Sequence, residues 1–296
     1  MVSQLIDTNE RFVGILERLS AKAIDDYYNP YQMFEWPDEL PEDMWWMSPE
    51  LTTTHGTEIA ERLTEQQLHT LSKYESVNFY SLNVHGIREL LIEVVKRIHT
   101  SGFRTPSEFF HHFVGEENEH MWFFAEFCNR YGKKIYKQMP GGAASLANSQ
   151  AESLVVFLRI LIFEELVDHF NSLMGADARL HETIRSINRI HHQDESRHIA
   201  FGRELVGVLY EDLKRTATPT ELSDLDAYVR RYMTYSFETL YNPQVYRDAG
   251  IENPQRVRSE LLAGAARADL EHQVFRKTRK FLEKSGIISQ VEGAGR

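Results

Sequence analysis

The sequence predicts an all-α protein built around a bundle of long helices. Apolar residues recur at helical spacing along most of the 296 residues, and no convincing strand-like alternation interrupts them. The chain is long enough to bury a substantial core. Its composition, 42% hydrophobic and 26% charged, is typical of a soluble globular protein. We therefore expect a single domain over residues 1–296, without a linker.

The N-terminal part of the chain is predicted to hold two helices separated by an irregular segment. The first helix is expected at about residues 8 to 27. Residues 28–52 contain four of the nine prolines and many aromatic residues, which predicts a wrap of side chains over a helical body. A second helix is expected at about 64 to 100, and Gly86 marks a point where it could break.

A strong helix start is predicted at Thr105-Pro106-Ser107-Glu108. Threonine would cap the helix, proline would take its first position and Glu108 its third. This helix is expected to reach about Tyr131, with Gly132 closing it.

The remaining chain is predicted to form a loop followed by four more helices. Residues 133–150 contain Pro140, Gly141 and Gly142, which predict a loop. The later helices are expected at about residues 150–174, 177–213, 220–240 and 255–285.

Charge and cysteine content exclude several classes of function. The net charge is −11 and no basic stripe stands out, which argues against binding to nucleic acid. Cys128 is the only cysteine, so no intrachain disulfide or thiolate cluster can form. The N-terminal residues are not expected to be a signal peptide, because acidic residues appear at once and a long apolar run is lacking. No run of about 18 apolar residues, the length of a membrane span, occurs in the sequence. We expect a cytoplasmic protein with no membrane contact.

The stretch HHQDESRHIAFG (residues 191–202) places titratable side chains on one face of a predicted helix. His191, Glu195 and His198 stand at i, i+4 and i+7 and therefore project in the same direction. His192 is turned by about 100° and does not belong to this set. A carboxylate and imidazoles one turn apart can bind one metal ion from a single helix.

A second Glu-x-x-His pair occurs as Glu117 and His120. A single pair of this kind is weak evidence, as Glu108 and His111 illustrate: they have the same spacing, but lie about two and a half turns earlier and face the opposite side. Two such pairs on separate long helices are far more specific. Dimetal carboxylate bundles combine two Glu-x-x-His pairs with one inward glutamate from each of the two other helices.

Each Glu-x-x-His is preceded by a helix that offers candidate inward glutamates. Glu164 lies among apolar residues, where an uncompensated carboxylate would be costly, and Glu165 is its rival. On the earlier helix, Glu89 is expected to meet Glu117 at the same height of an antiparallel hairpin. Glu93 is the alternative there, beside basic residues that favour a solvated ion pair.

The donor types limit the metal. Imidazoles and carboxylates without thiolate suit iron or manganese under reducing conditions. Asp194 is a candidate hydrogen-bond acceptor that would lie behind a ligating histidine and orient its ring. The residues that would bind a substrate are not identified by the sequence.

The chain resembles the p-aminobenzoate N-oxygenase family. The resemblance rests on the run MSPELTTTHGTEIAERLTEQQLHTLSKYE, on Glu117 and His120, and on HHQDESRH, and extends from about Asn29 to the C-terminal KFLEKSGI. It implies a ferritin-like four-helix bundle with additional N- and C-terminal helices. His191 matches the third histidine that this family adds. The metal ligands implied by the resemblance are Glu89, Glu117, His120, Glu164, His191, Glu195 and His198.

The resemblance also implies the chemistry. It implies a peroxo di-ferric intermediate, formed from two ferrous ions and dioxygen, that N-oxygenates a small amine to a hydroxylamine, with two external electrons returning the irons to the ferrous state. Further rounds would give nitroso or nitro products. No flavin or nicotinamide motif is visible, so electrons are expected from a separate reductase or ferredoxin. A homodimer is expected by analogy. The segment between Glu89 and Glu117 is shorter than in arylamine-oxidising members, which leaves open whether the amine is aryl or alkyl, free or carrier-bound.

Other functions stay open at this point. The same centre could hydroxylate carbon or desaturate. A ferritin-like protein could store iron or scavenge peroxide, although the N-terminal wrap and the C-terminal helices favour a walled substrate pocket. A purely structural helical protein is the remaining alternative.

Overall fold

The computed structural model describes residue 6, residues 9–139 and residues 151–290. These residues form an all-α protein, as predicted, and their β-structure is limited to one isolated bridge between Trp45 and Leu180. A 3-10 helix covers Pro49–Leu51 and a π-helical turn covers Cys128–Gly132. The α-helices are α1 (Glu10–Asp25), α2 (Pro30–Met33), α3 (Glu58–Glu61), α4 (Glu65–Val95), α5 (Ser107–Phe127), α6 (Glu152–Ala176), α7 (Glu182–Leu213), α8 (Pro219–Glu238), α9 (Pro243–Asp248), α10 (Pro254–Ala263), α11 (Ala265–Val274) and α12 (Arg276–Lys284).

Four long helices form the body of the fold. Helix α4 packs with α5 and helix α6 with α7, and the two pairs meet through α4–α6 and α5–α7 contacts. The Phe79 ring of α4 stacks on Phe170 of α6 at 5.1 Å, and Phe163 packs against Gly86, so α4 and α6 run antiparallel. This is the predicted ferritin-like four-helix bundle. Helix α1 packs on α5 and α7, α8 packs on α6, and α9 packs on α4.

The bundle helices begin where the local chemistry favours it. At the start of α4, the Thr64 side chain accepts the Gln67 N–H and the Gln67 side chain accepts the Thr64 N–H, which is a capping box. Helix α8 begins in the same way with Thr218 and Glu221 around Pro219. No described helix is long and apolar enough to cross a membrane.

Aromatic side chains of residues 28–52 lie against the bundle. The Trp46 ring contacts the rings of Phe127 and Tyr131, and Trp36 contacts Trp122 edge-on. The predicted wrap and the single domain over residues 1–296 stay predictions. The predicted start of the first helix near residue 8 and residues 140–150 of the predicted loop lie outside the described residues.

The predicted start of α5 is wrong by one residue. Pro106, not Thr105, occupies the cap position, without a side-chain cap hydrogen bond, and the helix begins at Ser107. The Ser107 hydroxyl donates to the Phe103 carbonyl and accepts the His99 N–H at 2.8 Å. These bonds hold the preceding residues in a turn, so the helix cannot start earlier.

Two other helix ends also differ from the prediction. Lys133, and not Gly132, adopts the left-handed backbone conformation after α5, with φ of 54°. A Cβ on Gly132 would come within 2.6 Å of a Val77 methyl group, so close packing explains the glycine. The single helix predicted at 255–285 is three helices, because Gly264 adopts an extended backbone and Phe275 leaves the helical conformation.

Helix α4 does not break at Gly86, because the missing side chain makes room for a neighbour. A Cβ there would lie 2.3 Å from the Phe163 ring. We expect Gly86→Ala to lower the free energy of unfolding by about 1–3 kcal/mol, the usual effect of overpacking. Urea unfolding of Gly86→Ala, with Gly115→Ala at an open position of α5 as the control, measures this. Recovery in Gly86→Ala/Phe163→Leu would support the contact as the cause, and a Gly86→Ala variant as stable as the wild type would contradict it.

Glu75 of α4 makes stability depend on pH. Burial raises the pKa of this carboxyl to about 7, although the Thr53 hydroxyl and N–H bond to it. The folded state therefore holds a proton that the unfolded chain has released between pH 4.5 and 7, so stability is full below that range and falls as pH rises through it. The loss should be about 3 kcal/mol.

Urea unfolding at pH 5 and pH 8, in the presence of a chelator, tests this prediction. Between the two pH values, the free energy of unfolding of Glu75→Gln should fall by about 3 kcal/mol less than that of the wild type. Glu65→Gln, at an exposed position of the same helix, is the control and should behave like the wild type. Equal pH dependence of Glu75→Gln and wild type would contradict the assignment.

Candidate metal centre

Two bundle helices bring four potential metal ligands together. Glu117 and His120 of α5 face Glu195 and His198 of α7, and one ligand atom from each residue lies within 4.8 Å of all the others. The Glu117 carboxylate approaches His198 Nδ1 at 2.8 Å, and all four side chains are buried. The predicted Glu-x-x-His pairs therefore meet across the bundle.

Two further predicted residues adjoin this group. The His191 ring lies 4.5 Å from the His120 ring, and His191 Nε2 lies 2.9 Å from the Glu195 carboxylate. Glu164 of α6 is 2% exposed. Burial raises the pKa of its carboxyl well above the ordinary value, and the charge of nearby Glu195 raises it further.

Each of these six side chains holds a buried polar atom that has no hydrogen-bond partner. Such atoms are rare in folded proteins, because an unsatisfied buried polar group costs about 1–3 kcal/mol. Close approaches, such as that of Glu117 to His198, do not have hydrogen-bond geometry. The six atoms are Glu117 Oε1, His120 Nδ1, Glu164 Oε1, His191 Nε2, Glu195 Oε2 and His198 Nδ1. Carboxylate oxygens and imidazole nitrogens are metal donors, so the set fits transition-metal ions.

Two of the three histidines have their outward nitrogen bonded to a carboxylate. His120 Nε2 donates to Asp194 at 3.0 Å, and His198 Nε2 donates to Glu116 at 2.7 Å. Carboxylates that accept the outer N–H in this way fix the tautomer and the orientation of metal-binding histidines. The inner nitrogen of each ring then carries the lone pair that a metal requires.

The third histidine is held by an amide. His191 Nδ1 is hydrogen-bonded to the Asn171 side chain, whose Oδ1 is buried without a partner. If the amide turns by 180°, Oδ1 accepts the Nδ1 proton and His191 Nε2 carries a lone pair towards the centre.

A buried arginine balances the outer carboxylates. Arg197 donates to Asp194 at 2.6 Å and to Glu116 at 2.8 Å, and the Tyr28 hydroxyl donates to Asp194 at 2.9 Å. Burial raises the pKa of Asp194, but the hydrogen bond and charge of His120 and the charge of Arg197 bring it below the usual range. Asp194 is therefore a charged acceptor inside the protein.

The inner groups also compensate one another. Burial lowers the pKa of His120, but the carboxylates of Glu117 and Asp194 raise it to about 10. Burial raises the pKa of Glu117, but His120 and His198 lower it below the usual range. Bound cations would take over the role of these protons, since they bring positive charge to the same donor atoms.

Sequence reasoning missed Glu116, Asn171, Arg197 and Tyr28. Two of these residues have a signal in the sequence. Glu116 directly precedes the predicted ligand Glu117, and Arg197 is a basic residue between Glu195 and His198. Asn171 and Tyr28 come from elsewhere in the chain and carry no local signal.

The structure does not bring Glu89 into the centre. Its side chain is 62% exposed and lies 3.6 Å from Arg88. Glu93 pairs with Lys96 and Arg97, as a solvated ion pair would. Both glutamates lie outside the buried face of α4 and line a cavity between α4 and α6.

Glu165 points away from the predicted ligands. It accepts hydrogen bonds from Arg203 at 2.8 Å and from Thr278 at 2.7 Å. These two donors satisfy it outside the bundle interior, whereas Glu164 keeps an unpartnered oxygen inside.

Comparison with known proteins agrees with this geometry. A family model described as P-aminobenzoate N-oxygenase AurF matches residues 9–286, which is nearly the whole chain, and confirms the resemblance inferred from the sequence. No curated protein matches the chain.

Proposed function

The chain belongs to the p-aminobenzoate N-oxygenase family of di-iron monooxygenases, and from this premise we propose that it N-oxygenates a small amine at two iron ions held by the six buried residues. The observation that carries the proposal is the set of six buried donor atoms without hydrogen-bond partners. An all-oxygen site would suit magnesium or calcium, whereas three imidazoles favour iron or manganese. Reduced iron, when bound, supplies the reaction with dioxygen.

The overall reaction balances with an external reductant. One oxygen atom of dioxygen is transferred to the amine nitrogen, which gives a hydroxylamine, and the other leaves as water after taking up two electrons and two protons. Further rounds would give nitroso and nitro products. A separate reductase or ferredoxin, a homodimeric assembly and a cytoplasmic location are parts of the same proposal.

The protein's own contribution is to hold the donor atoms in place before metal binds. Asp194, Glu116 and Asn171 each hold the outer nitrogen of one histidine. Arg197 in turn fixes two of those acceptors. Because these contacts set the direction of each ring, the centre needs little rearrangement on loading.

The proposed amine site is a cavity that none of the six donor residues lines. It has a volume of about 560 Å³, in the range of small-molecule pockets, and lies between α4 and α6. Phe163 and Val167, which flank Glu164 on α6, contribute to its wall, as does Phe79. The cavity also contains Arg159, whose guanidinium lies over the Tyr232 ring. The aromatic side chains of this wall suit a flat aromatic amine.

The test uses purified protein loaded with ferrous iron without oxygen. Oxygen and a chemical reductant are then added with p-aminobenzoate, aniline or an alkyl amine, and mass spectrometry identifies the products. We expect two irons per chain, and hydroxylamine, nitroso or nitro products with oxygen from labelled dioxygen. Products hydroxylated only at carbon, alkenes, or a hollow assembly that stores many irons per chain would overturn the proposal.

A further inference from the structure

We infer that helix α4 supplies the amide of Asn83, and not a glutamate carboxylate, to the metal centre. This inference rests on the proposed function, because it assigns one more contact to the same pair of metal ions. Dimetal carboxylate bundles draw one glutamate from each of the two helices that lack a Glu-x-x-His. In this chain α6 offers Glu164, and α4 offers a neutral side chain.

The Asn83 amide is buried with one end unsatisfied. The residue has no solvent exposure. Its Nδ2 donates to the Phe79 carbonyl at 2.9 Å, one turn earlier in the helix, whereas Oδ1 is buried without a partner. The first bond fixes the orientation of the amide, so the oxygen points away from its own helix backbone. A buried carbonyl oxygen of this kind requires a hydrogen-bond donor or a metal ion.

The contacts of neighbouring residues show where Asn83 points. The Phe79 ring stacks on Phe170 of α6, and the Tyr80 ring stacks on Phe124 of α5 at 5.1 Å. At 100° per residue, Asn83 is 40° from Phe79 and 60° from Tyr80, between the two. It therefore faces the space enclosed by α5, α6 and α7.

The height of Asn83 along the bundle matches that of the centre. Asn188 of α7 donates to the Tyr80 hydroxyl at 2.6 Å. Helix α4 is antiparallel to α6. Helix α6 is antiparallel to α7, because Gly175 packs against Arg189 and Gly202 packs against Leu161. Helices α4 and α7 therefore run in the same direction. Asn83 is three residues after Tyr80, and His191 is three residues after Asn188. Asn83 and His191 therefore lie at the same height along the bundle.

The contacts between α4 and α6 place Asn83 at the same height independently. Phe79 lies opposite Phe170 and Gly86 lies opposite Phe163, so Asn83 comes level with Leu166, two residues from Glu164. Two bundle neighbours thus agree on its level.

No carboxylate of α4 can take this place. Residues 76–88 contain neither aspartate nor glutamate. Glu75 is eight residues from Asn83, about 12 Å along the helix, and its carboxylate is bonded to Thr53. Glu89 is 62% exposed.

A neutral residue at this position changes the charge of the centre. Three carboxylates with two divalent ions leave one net positive charge, whereas four carboxylates would leave none. The extra positive charge favours the reduced ions, since oxidation adds further charge that the ligands do not offset. Asn83→Asp should therefore bind ferrous iron more tightly and lower the reduction potential of the centre.

Anaerobic titration with ferrous iron, followed by calorimetry, measures affinity without any activity. Asn83→Ala should weaken the weaker site by roughly tenfold or more, and Asn83→Asp should strengthen it by a similar factor. Asn78→Ala is the matched control: Asn78 is also buried on α4, but its amide bonds to Leu240 and Asn242 at both ends. This variant should bind two irons with wild-type affinity.

A crystal structure of the iron-loaded wild type keeps the test decisive even if a variant fails to fold. We expect a metal ion about 2.0–2.2 Å from Asn83 Oδ1. Wild-type affinities in both Asn83 variants, or an Oδ1 bonded only to water or protein in the loaded structure, would overturn the inference. A wild type that binds fewer than two irons would instead overturn the proposed function, so the two failures can be distinguished.

Discussion

His120→Ala is expected to lower the iron content from two ions per chain to fewer than one and to abolish oxygen-dependent turnover. His120 is completely buried beside Glu117 and Glu195, and its Nδ1 is among the unpartnered donor atoms. Changes to residues that only orient a ligand already reduce metal affinity or activity about 10–100-fold. Removal of a proposed ligand should exceed that range.

The chain supplies a matched control on the same helix. His111 stands three residues after Glu108, as His120 stands after Glu117, but His111 and Glu108 are exposed. His111 Nε2 lies 3.1 Å from His99 Nε2. His111→Ala should keep two irons and wild-type turnover. Metal analysis by atomic emission and a product assay test both variants, and a fully loaded His120→Ala protein would contradict the proposed centre.

Asp194→Asn and Glu116→Gln extend this test to the outer residues. Each substitution keeps the shape but weakens acceptance of a histidine N–H, so iron affinity should fall by about 10–100-fold while the bundle stays folded. Circular dichroism monitors the fold and anaerobic iron titration monitors the affinity. An unchanged affinity in both variants would show that these carboxylates do not prepare the histidines for metal.

The six buried donors could be predicted because helix geometry fixes which residues share a face. Glu195 and His198, like Glu117 and His120, are three residues apart, and this spacing holds in any straight helix. Glu164 stands out because an acid in an apolar stretch needs a compensating group. These inferences use only local periodicity, which sequence contains.

The exposed position of the Glu89 side chain could not be predicted from local periodicity and residue counting. Counting residues from the turn estimates height along a hairpin, but not the direction in which a side chain points. Glu89 follows Ile87 and precedes Leu90, both of which are buried on the inner face, while its own side chain is exposed. Asn83 carries no signal in the sequence because asparagine is not a usual ligand type, and only its tertiary surroundings indicate a role.

The outer partners of the histidines also depend on tertiary structure. Glu116 is on α5, but the histidine that it orients, His198, is on α7. Tyr28, which donates a hydrogen bond to Asp194, precedes the four bundle helices in the chain. No spacing rule connects residues across 82 or 166 positions.

Removal of metal is expected to destabilise the wild-type protein strongly. Without cations, the centre retains buried acids and imidazoles with unpartnered atoms. A ligand present at 1,000 times its dissociation constant stabilises the folded state by about 4 kcal/mol per site. For a chain of this size, one kcal/mol moves the melting temperature by roughly 2–4 °C. Two iron ions should therefore raise the melting temperature by about 10 °C or more.

Differential scanning calorimetry under nitrogen, with excess ferrous iron or with EDTA, measures this shift. In His120→Ala the difference between the two conditions should nearly vanish, whereas His111→Ala should show the full wild-type difference. Magnesium should not replace iron, because it prefers all-oxygen ligands and three of the six proposed ligands are imidazoles. Equal melting temperatures of the wild type with iron and with EDTA would mean that the buried acids and histidines are stabilised by each other alone, and the metal assignment would then fail.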